Sequence, residues 1–350
     1  MTPRGARGDA GPSPPSMRAF LTGGTGLIGS HTAALLVQEG HEVVALCRPG
    51  ADVAFLESVG CTVARGDVTD GAAALEPLLR GCSHVVHGAA LVYSGGKWPA
   101  IRRVNVEGTR NVLEAAAGAS VGHVVHFSSV AVYGTVEGEV DERSPVDTPI
   151  PPSDLYARSK RESESVARAV EGATGMPVTV LRPSAVYGER DRLMTQRIAR
   201  MLRGPVSFLL GPGRNTIPTV YAGNVAEAVL LALAAGRGGA TYDVGMDHPL
   251  TQRALLEGIA EGLGHRPVLI PVPSAAVRTG ADILEALGMK APGAAHLPLG
   301  RVVRLALGEN PYPSAAIREA LGWRPSHRHE DALRRAGRWL KEHPEGPRPA

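Results

Sequence analysis

The sequence predicts an α/β protein: a Rossmann-type doubly wound parallel sheet with a smaller C-terminal substrate-binding region. Three observations carry this. Short apolar runs rich in β-branched residues alternate with helical patterns from Arg18 to about Tyr187. The first run ends in the glycine turn Gly23-Gly24-Thr25-Gly26-Leu27-Ile28-Gly29. Beyond Gly188 the alternation loosens into shorter elements rich in Gly and Pro. The expected division is a disordered tail over 1–17 and a dinucleotide-binding domain over 18–187 with later returning segments. Residues 188–342 are then mainly substrate-binding, and 343–350 a flexible tail.

Arg18 to Thr22 reads as the first strand, followed by the glycine turn and a helix through Val37 that ends at Gly40. Glu42 to Leu46 is the second strand, ending at Cys47 and Arg48. Strand, glycine turn, helix, strand is the unit that binds a dinucleotide, with Gly23, Gly26 and Gly29 permitting the turn, close approach of pyrophosphate and close helix packing. The helix N-terminus then faces the phosphates. An NAD enzyme usually places a carboxylate at the end of the second strand for the ribose 2′-hydroxyl. Arg48 stands there instead, and a guanidinium pairs with a 2′-phosphate, so NADP(H) is favoured and NAD(H) is the alternative.

The alternation continues with a strand at Thr62 to Arg65 leading to Gly66-Asp67-Val68, and a helix over Ala72 to Leu79. A buried strand at His84 to Val86 ends at His87-Gly88-Ala89-Ala90, and one long helix is expected from Arg102 to Ala117. His123 to Phe127 is a strand carrying Ser128 and Ser129 at its C-terminal end. After the proline-rich stretch Pro145 to Pro152 comes the helix bearing Tyr156 and Lys160, then a strand from Val178 to Leu181 running into Arg182-Pro183-Ser184. Ligands of an open parallel sheet bind beyond the carboxyl ends of its strands, so loops 23–29, 48, 67–68, 87–93 and 128–134 should converge on one cleft. From about Arg324 onward the charges, with His327 and His329, suggest a solvated terminal helix.

Chain length allows two units or one elaborated domain. The net charge of +3, from 37 basic and 34 acidic residues, with 4% aromatics, argues against nucleic-acid binding. Cys47, Cys61 and Cys82 lack CxxC spacing, so neither a disulfide framework nor a zinc site is indicated and a reducing cytoplasm fits best. Residues 1–16 have no apolar run to make a signal peptide, and the longest apolar stretch, Val225 to Ala235, is too short to span a bilayer.

Tyr156 and Lys160 are four apart, on one helix face, so both reach one small ligand. A neighbouring ammonium favours the phenolate, which makes tyrosine a usable proton donor and acceptor. Tyrosine and lysine at this spacing are also common on solvated faces. Composition separates the readings, because the only lysines are Lys97, Lys160, Lys290 and Lys341, and Arg158 and Arg161 flank Lys160. Where any cation would serve, this chain uses arginine; an ammonium at 160 is therefore a specific choice. Ser129 is the third member, a hydroxyl for a substrate oxygen.

These residues together resemble the extended short-chain dehydrogenase/reductase family, also called the NAD-dependent epimerase/dehydratase family. The carriers are TGGTGLIGSH (22–31), GDVTD (66–70), HGAA (87–90), NVEGTRNVLEAA (105–116), FSSVAVYG (127–134), YARSK (156–160), LRPSAVYG (181–188) and LGWRP (321–325). The resemblance implies Tyr156 as general acid/base, Lys160 on the nicotinamide ribose and Ser129 orienting the substrate oxygen. It implies Gly23, Thr25, Gly26, Leu27, Ile28, Gly29, Arg48, Asp67, Val68, Ala89, Ala90 and Pro183 around the cofactor, with Asn105 behind the site. Val130, Tyr93, Tyr187 and Met194 are candidate substrate contacts, the last three more readily read as ordinary packing. The family commonly dimerises through helices matching Asn105–Ala117 and Tyr156–Val170, so a homodimer is expected.

Two departures narrow the branch. Sugar-nucleotide 4,6-dehydratases carry an acidic residue right after the hydroxyl position, where this chain has Val130 and Ala131. The segment Gly211 to Ala228 lacks the Arg-Asp pair of nucleotide-sugar epimerases and looks closer to 3β-hydroxysteroid dehydrogenases and dihydroflavonol reductases. The expected function is an NADP(H)-dependent oxidoreductase that interconverts a secondary alcohol and a ketone on a small molecule. The alternatives are an epimerase with tightly held NAD and a non-catalytic dinucleotide sensor.

Overall fold

A computed structural model describes residues 16–92, 97–134, 138–286 and 299–346. The first half runs β1 (Arg18–Thr22), α1 (Leu27–Gln38), β2 (Glu42–Cys47), α2 (Ala54–Ser58), β3 (Thr62–Arg65), α3 (Ala72–Leu79), β4 (His84–His87), α4 (Trp98–Arg102), α5 (Gly108–Gly118), β5 (His123–Phe127) and α6 (Leu155–Thr174). The second runs β6 (Val178–Pro183), β7 (Ala185–Tyr187), α7 (Met194–Leu202), β8 (Val206–Leu210), β9 (Thr219–Tyr221), α8 (Ala222–Ala235), β10 (Thr241–Val244), α9 (Gln252–Leu263), β11 (Val268–Val272), α10 (Ser274–Ala286), α11 (Leu299–Leu307), α12 (Ala315–Leu321) and α13 (His329–Glu342).

Seven strands form one parallel sheet in the order β10-β6-β5-β4-β1-β2-β3. Strands covered on both faces need apolar side chains on both, and β5 is buried along its whole length. Period-2 alternation sorts the core. Ala19 and Leu21 point to the layer of α1 and α8, with Leu36, Val225 and Val229. Phe20 points to the layer of α3, α5 and α6, with Leu79, Leu113 and Val166. Strand order reverses between β1 and β4, so the crevice opens at their C-terminal ends.

Two small parallel pairs, β7–β9 and β8–β11, lie beside this sheet. With α7, α9 and α13 they enclose a third core around Tyr187, Leu202, Ile217, Leu256 and Leu333. Here the solvated terminal helix expected from Arg324 onward is corrected. Helix α13 buries His329, Ala332, Leu333, Ala336, Gly337 and Leu340. A Cβ on Gly337 would meet Ile259 O at 2.4 Å, and one on Gly262 would meet Arg334 O at 2.4 Å, so α9 and α13 cross backbone to backbone.

Three further boundaries differ from expectation. The helix expected over 102–117 is interrupted by one π-helical turn, Arg103–Glu107, between α4 and α5. The N-terminal tail, placed at 1–17, is paired by residues 16 and 17, since Met17 O accepts the Glu42 N–H at 2.9 Å and Ser16 Oγ donates to Gly40 O at 2.9 Å. Residues 343–346, placed in the flexible tail, lie over α7, with Glu345 O accepting from Gln196 Nε2 at 2.9 Å. No helix among the described residues is long and apolar enough to cross a membrane.

Candidate active site

The crevice begins at the glycine turn. Gly23 has φ +76°, and a Cβ there would meet the backbone of Gly88 and Ala89 at 2.6–2.8 Å, so the turn lies directly on the loop after β4. A Cβ on Gly29 would meet Gly23 O at 2.2 Å, which draws α1 tight against the same turn. Gly26 caps α1 without a side chain, and the first helical turn carries no acidic residue. Its N–H groups are therefore left for an external anion. At Gly26 a Cβ would meet only Gly23 O, at 3.2 Å, so any larger side chain would fill the cradle. This set fits a dinucleotide pyrophosphate. Thr25, Leu27 and Ile28 are half-buried around it, as are Ala89 and Ala90.

Arg48 is exposed at the end of β2, and its carbonyl accepts a bond from Arg65 Nη1 at 3.1 Å. On β3's outgoing loop, Asp67 Oδ1 accepts the Thr69 N–H at 2.9 Å and Val68 is buried against Gly108, its carbonyl held by Asn111 Nδ2 at 2.9 Å.

The catalytic candidates meet across β5 and α6. Asp154 starts α6 by accepting the Ala157 N–H at 3.0 Å, which puts Tyr156 in the first turn and Lys160 one turn on. Lys160 Nζ lies 5.9 Å from the centre of the Tyr156 ring and donates to Phe127 O at 2.7 Å. Its side chain is buried, and desolvation pushes its pKa down to about 8 against a smaller upward pull from Glu164. Ser129 begins a 3₁₀ turn, Val130–Tyr133; its Oγ accepts the Ala131 N–H at 3.2 Å and reaches Pro183 O at only 3.5 Å. The hydroxyl proton is thus weakly engaged. Beside it, Ser128 Oγ is buried with no hydrogen-bond partner. Val130, the first residue of the turn, and Pro183, at the end of β6, are both buried.

Supporting residues carry this arrangement; the sequence reading placed Asn105 behind the site and assigned Thr22, His87 and Thr109 no part in it. Thr22 Oγ1 accepts the N–H groups of Gly88 and Ala89, each at 3.2 Å, and lies 2.8 Å from His87 Nδ1. His87 Nε2 lies 2.9 Å from Thr109 Oγ1, which donates to Asn105 O at 2.7 Å. The chain is consistent only if Thr22 donates to Nδ1 and Nε2 carries the proton, a neutral histidine. Burial agrees, pushing the His87 pKa down to about 3. Asn105, within the π turn, clamps both polar groups of Leu91 at 2.7 and 3.1 Å and donates to Ser159 Oγ at 2.9 Å. It ties the loop after β4 to the turn of α6 that presents Tyr156. The usable signal was the repeated tetrapeptide HVVH in β4 and β5, which lie in register His87↔His126.

A second network fixes the far end of the 3₁₀ turn. Arg182 grips Glu164 through two bonds of 2.7 and 2.8 Å and donates to Tyr133 Oη at 2.7 Å, while Tyr133 donates to Asp243 at 2.8 Å. Burial raises the Asp243 carboxyl to about 7. Beyond Gly134 a cavity of about 430 Å³ opens, lined by Pro218, Arg304, Asn310 and Tyr312.

Two of the suggested substrate contacts lie at the third core. Tyr187 is fully buried in the third core with its hydroxyl 2.9 Å from His329 Nδ1, and Met194 packs half-buried against the same cluster. The Tyr187 ring fills that core, and Met194 lies at its edge. Tyr93 falls outside the described residues.

The chain matches the NAD dependent epimerase/dehydratase family over residues 19–245. A 4-hydroxy-2-methyl-3-oxo-4-farnesyl-3,4-dihydroquinoline-1-oxide ketoreductase of Stigmatella aurantiaca is 30% identical over 92% of this chain and 97% of its own. A 2-alkyl-3-oxoalkanoate reductase of Stenotrophomonas maltophilia is 29% identical over 71% and 76%. Among solved structures, a dTDP-glucose 4,6-dehydratase of Streptomyces venezuelae with NAD bound superposes with a TM-score of 0.71 at 28% identity, over 94% of this chain and 98% of that one. The chain belongs to the NAD dependent epimerase/dehydratase family and is an enzyme of the extended short-chain dehydrogenase/reductase type, which works with NAD(P).

Proposed function

We propose that this protein is an NADP(H)-dependent ketoreductase that interconverts a ketone and a secondary alcohol on a small molecule. The observation that carries the reading is the similarity to the Stigmatella aurantiaca ketoreductase, which extends over 92% of this chain, combined with an intact Ser129, Tyr156 and Lys160. Nicotinamide, when bound, supplies the hydride that reduces the carbonyl carbon. The protein's part is the proton and the oxygen. Ser129 Oγ, weakly engaged with Pro183 O at 3.5 Å, turns its proton to the substrate carbonyl. Tyr156 donates the proton that the developing alkoxide takes up, and the buried ammonium of Lys160 stabilises the phenolate left behind. Val130 and Ala131 follow Ser129, so the crevice offers no acid there for a dehydratase's elimination. Arg48, in place of a carboxylate, supports the 2′-phosphorylated cofactor.

The test is NADPH oxidation against a ketone panel that includes 3-oxo acids. General acid catalysis is worth about 10²–10⁴-fold, so Tyr156→Phe should lose that much turnover while binding NADPH as before. An unchanged rate removes Tyr156 from the mechanism.

A further inference from the structure

The outer face of the β8–β11 pair is apolar where a sheet covered on one side is ordinarily polar. Alternation along β8 turns Ser207 and Leu209 inward and leaves Val206 and Phe208 41% and 54% exposed. In β11, Leu269 packs against the third core, while Val268 and Ile270 are 62% and 43% exposed. Parallel register sets Val268 beside Val206 and Ile270 beside Phe208, so the four side chains form one patch. Four of the seven large hydrophobic side chains exposed among the described residues stand here. A concentration of this kind marks an interaction surface.

The edges of the pair do not invite another strand. The Val268 N–H donates to Pro205 O and the Gly211 N–H to Val272 O, so the even-numbered positions of β11 bond to β8. Positions 267, 269, 271 and 273 therefore face the open edge, and Pro267, Pro271 and Pro273 have no N–H to offer it. On the other edge, Gln252 caps both polar groups of Leu210 at 2.8 and 3.3 Å. Contact is left to the face.

Charge decides what the face meets. Residues 192–226, which include α7 and β8, hold five arginines and no carboxylate, and residues 265–281 hold two more arginines and again no carboxylate. Arg203 and Arg266 are exposed just before the two strands, Arg200 lies one turn earlier on α7, and none of the three makes an ion pair among the described residues. Glu257 and Glu261 of α9, which line a cleft with Arg266, are already paired with Arg253 at 3.2 Å and Arg334 at 3.0 Å. A second copy laid on this face about a two-fold axis would bring arginine against arginine. A surface that is anionic outside and apolar within matches both features.

We propose that the outer face of β8–β11 docks this protein on an anionic lipid bilayer. Phe208 and Ile270 enter the boundary between headgroups and acyl chains, and Arg200, Arg203 and Arg266 meet the anionic headgroups. The protein lies on the bilayer and does not span it.

The experiment is sedimentation of the full chain with vesicles of phosphatidylcholine alone and of phosphatidylcholine with an equal part of phosphatidylserine, at low and high salt. Two variants accompany the wild type: Phe208→Ser with Ile270→Ser, and Arg200→Gln with Arg203→Gln and Arg266→Gln. All five positions are exposed, so thermal melts should match the wild type. The wild type should bind the phosphatidylserine vesicles and lose affinity at high salt. Removing the two apolar side chains should weaken binding about tenfold or more, and each arginine lost should weaken it about fivefold. No binding by the wild type, or equal binding by the wild type and both variants, overturns the docking surface. So does a halving of the lipid-free mass in the Phe208→Ser, Ile270→Ser variant, which gives the face to a second copy.

Discussion

Lys160 combines a cost to folding with a use in catalysis. Its ammonium is buried, bonded to Phe127 O at 2.7 Å, and makes no ion pair among the described residues. The pKa falls from 10.5 to about 8 because burial disfavours the charge. A depression of that size costs about 3 kcal/mol at neutral pH. The folded state therefore binds fewer protons than the unfolded one between pH 8 and 10.5, and stability rises with pH across that window. Lys160→Met should abolish turnover yet gain about 1–2 kcal/mol of stability at pH 7, after subtracting the lost bond to Phe127 O. The gain should shrink in melts at pH 10. A destabilised variant at pH 7 would contradict this. In the wild type, kcat/KM for ketone reduction should fall above pH 8 as Lys160 loses its proton.

Among the elements, the turn into α1 holds the most specific geometry. A Cβ on Gly29 would strike the Gly23 carbonyl at 2.2 Å, whereas one on Gly24 would meet only side-chain atoms of Leu21 and Leu56 at 3.3–3.5 Å. Backbone cannot give way as side chains do. Gly29→Ala should thus lose about 1–3 kcal/mol and most dinucleotide affinity, while Gly24→Ala stays within about 1 kcal/mol. Thermal melts with and without NADPH would separate the two, and equal effects would refute the close-contact account. This turn was legible in the sequence because strand, glycines and helix are adjacent along the chain. The π turn at Arg103–Glu107 was not, since one widened turn barely disturbs a 3.6-residue pattern. Asn105 gains its role only through Leu91 and Ser159, 14 and 54 residues away. The third core was misjudged for a related reason: α13 is crowded with charge, and its buried stripe sets only two leucines, Leu333 and Leu340, among His329, Ala332, Ala336 and Gly337.

At the scale of the molecule, the dinucleotide domain and the C-terminal region share the work. The first supplies the glycine turn, Ser129, Tyr156 and Lys160. The second sends β10 back to the sheet edge, where Asp243 anchors Tyr133 and with it the turn that carries Ser129. A reductase built this way must exchange its cofactor at every turnover, whereas a redox-neutral epimerase returns the hydride and can keep it. The most direct measurement is to denature the freshly purified protein and quantify the nicotinamide dinucleotide released. The account predicts far less than one equivalent per chain, with NADP(H) exceeding NAD(H). Near-stoichiometric NAD would contradict it and point to nucleotide-sugar chemistry.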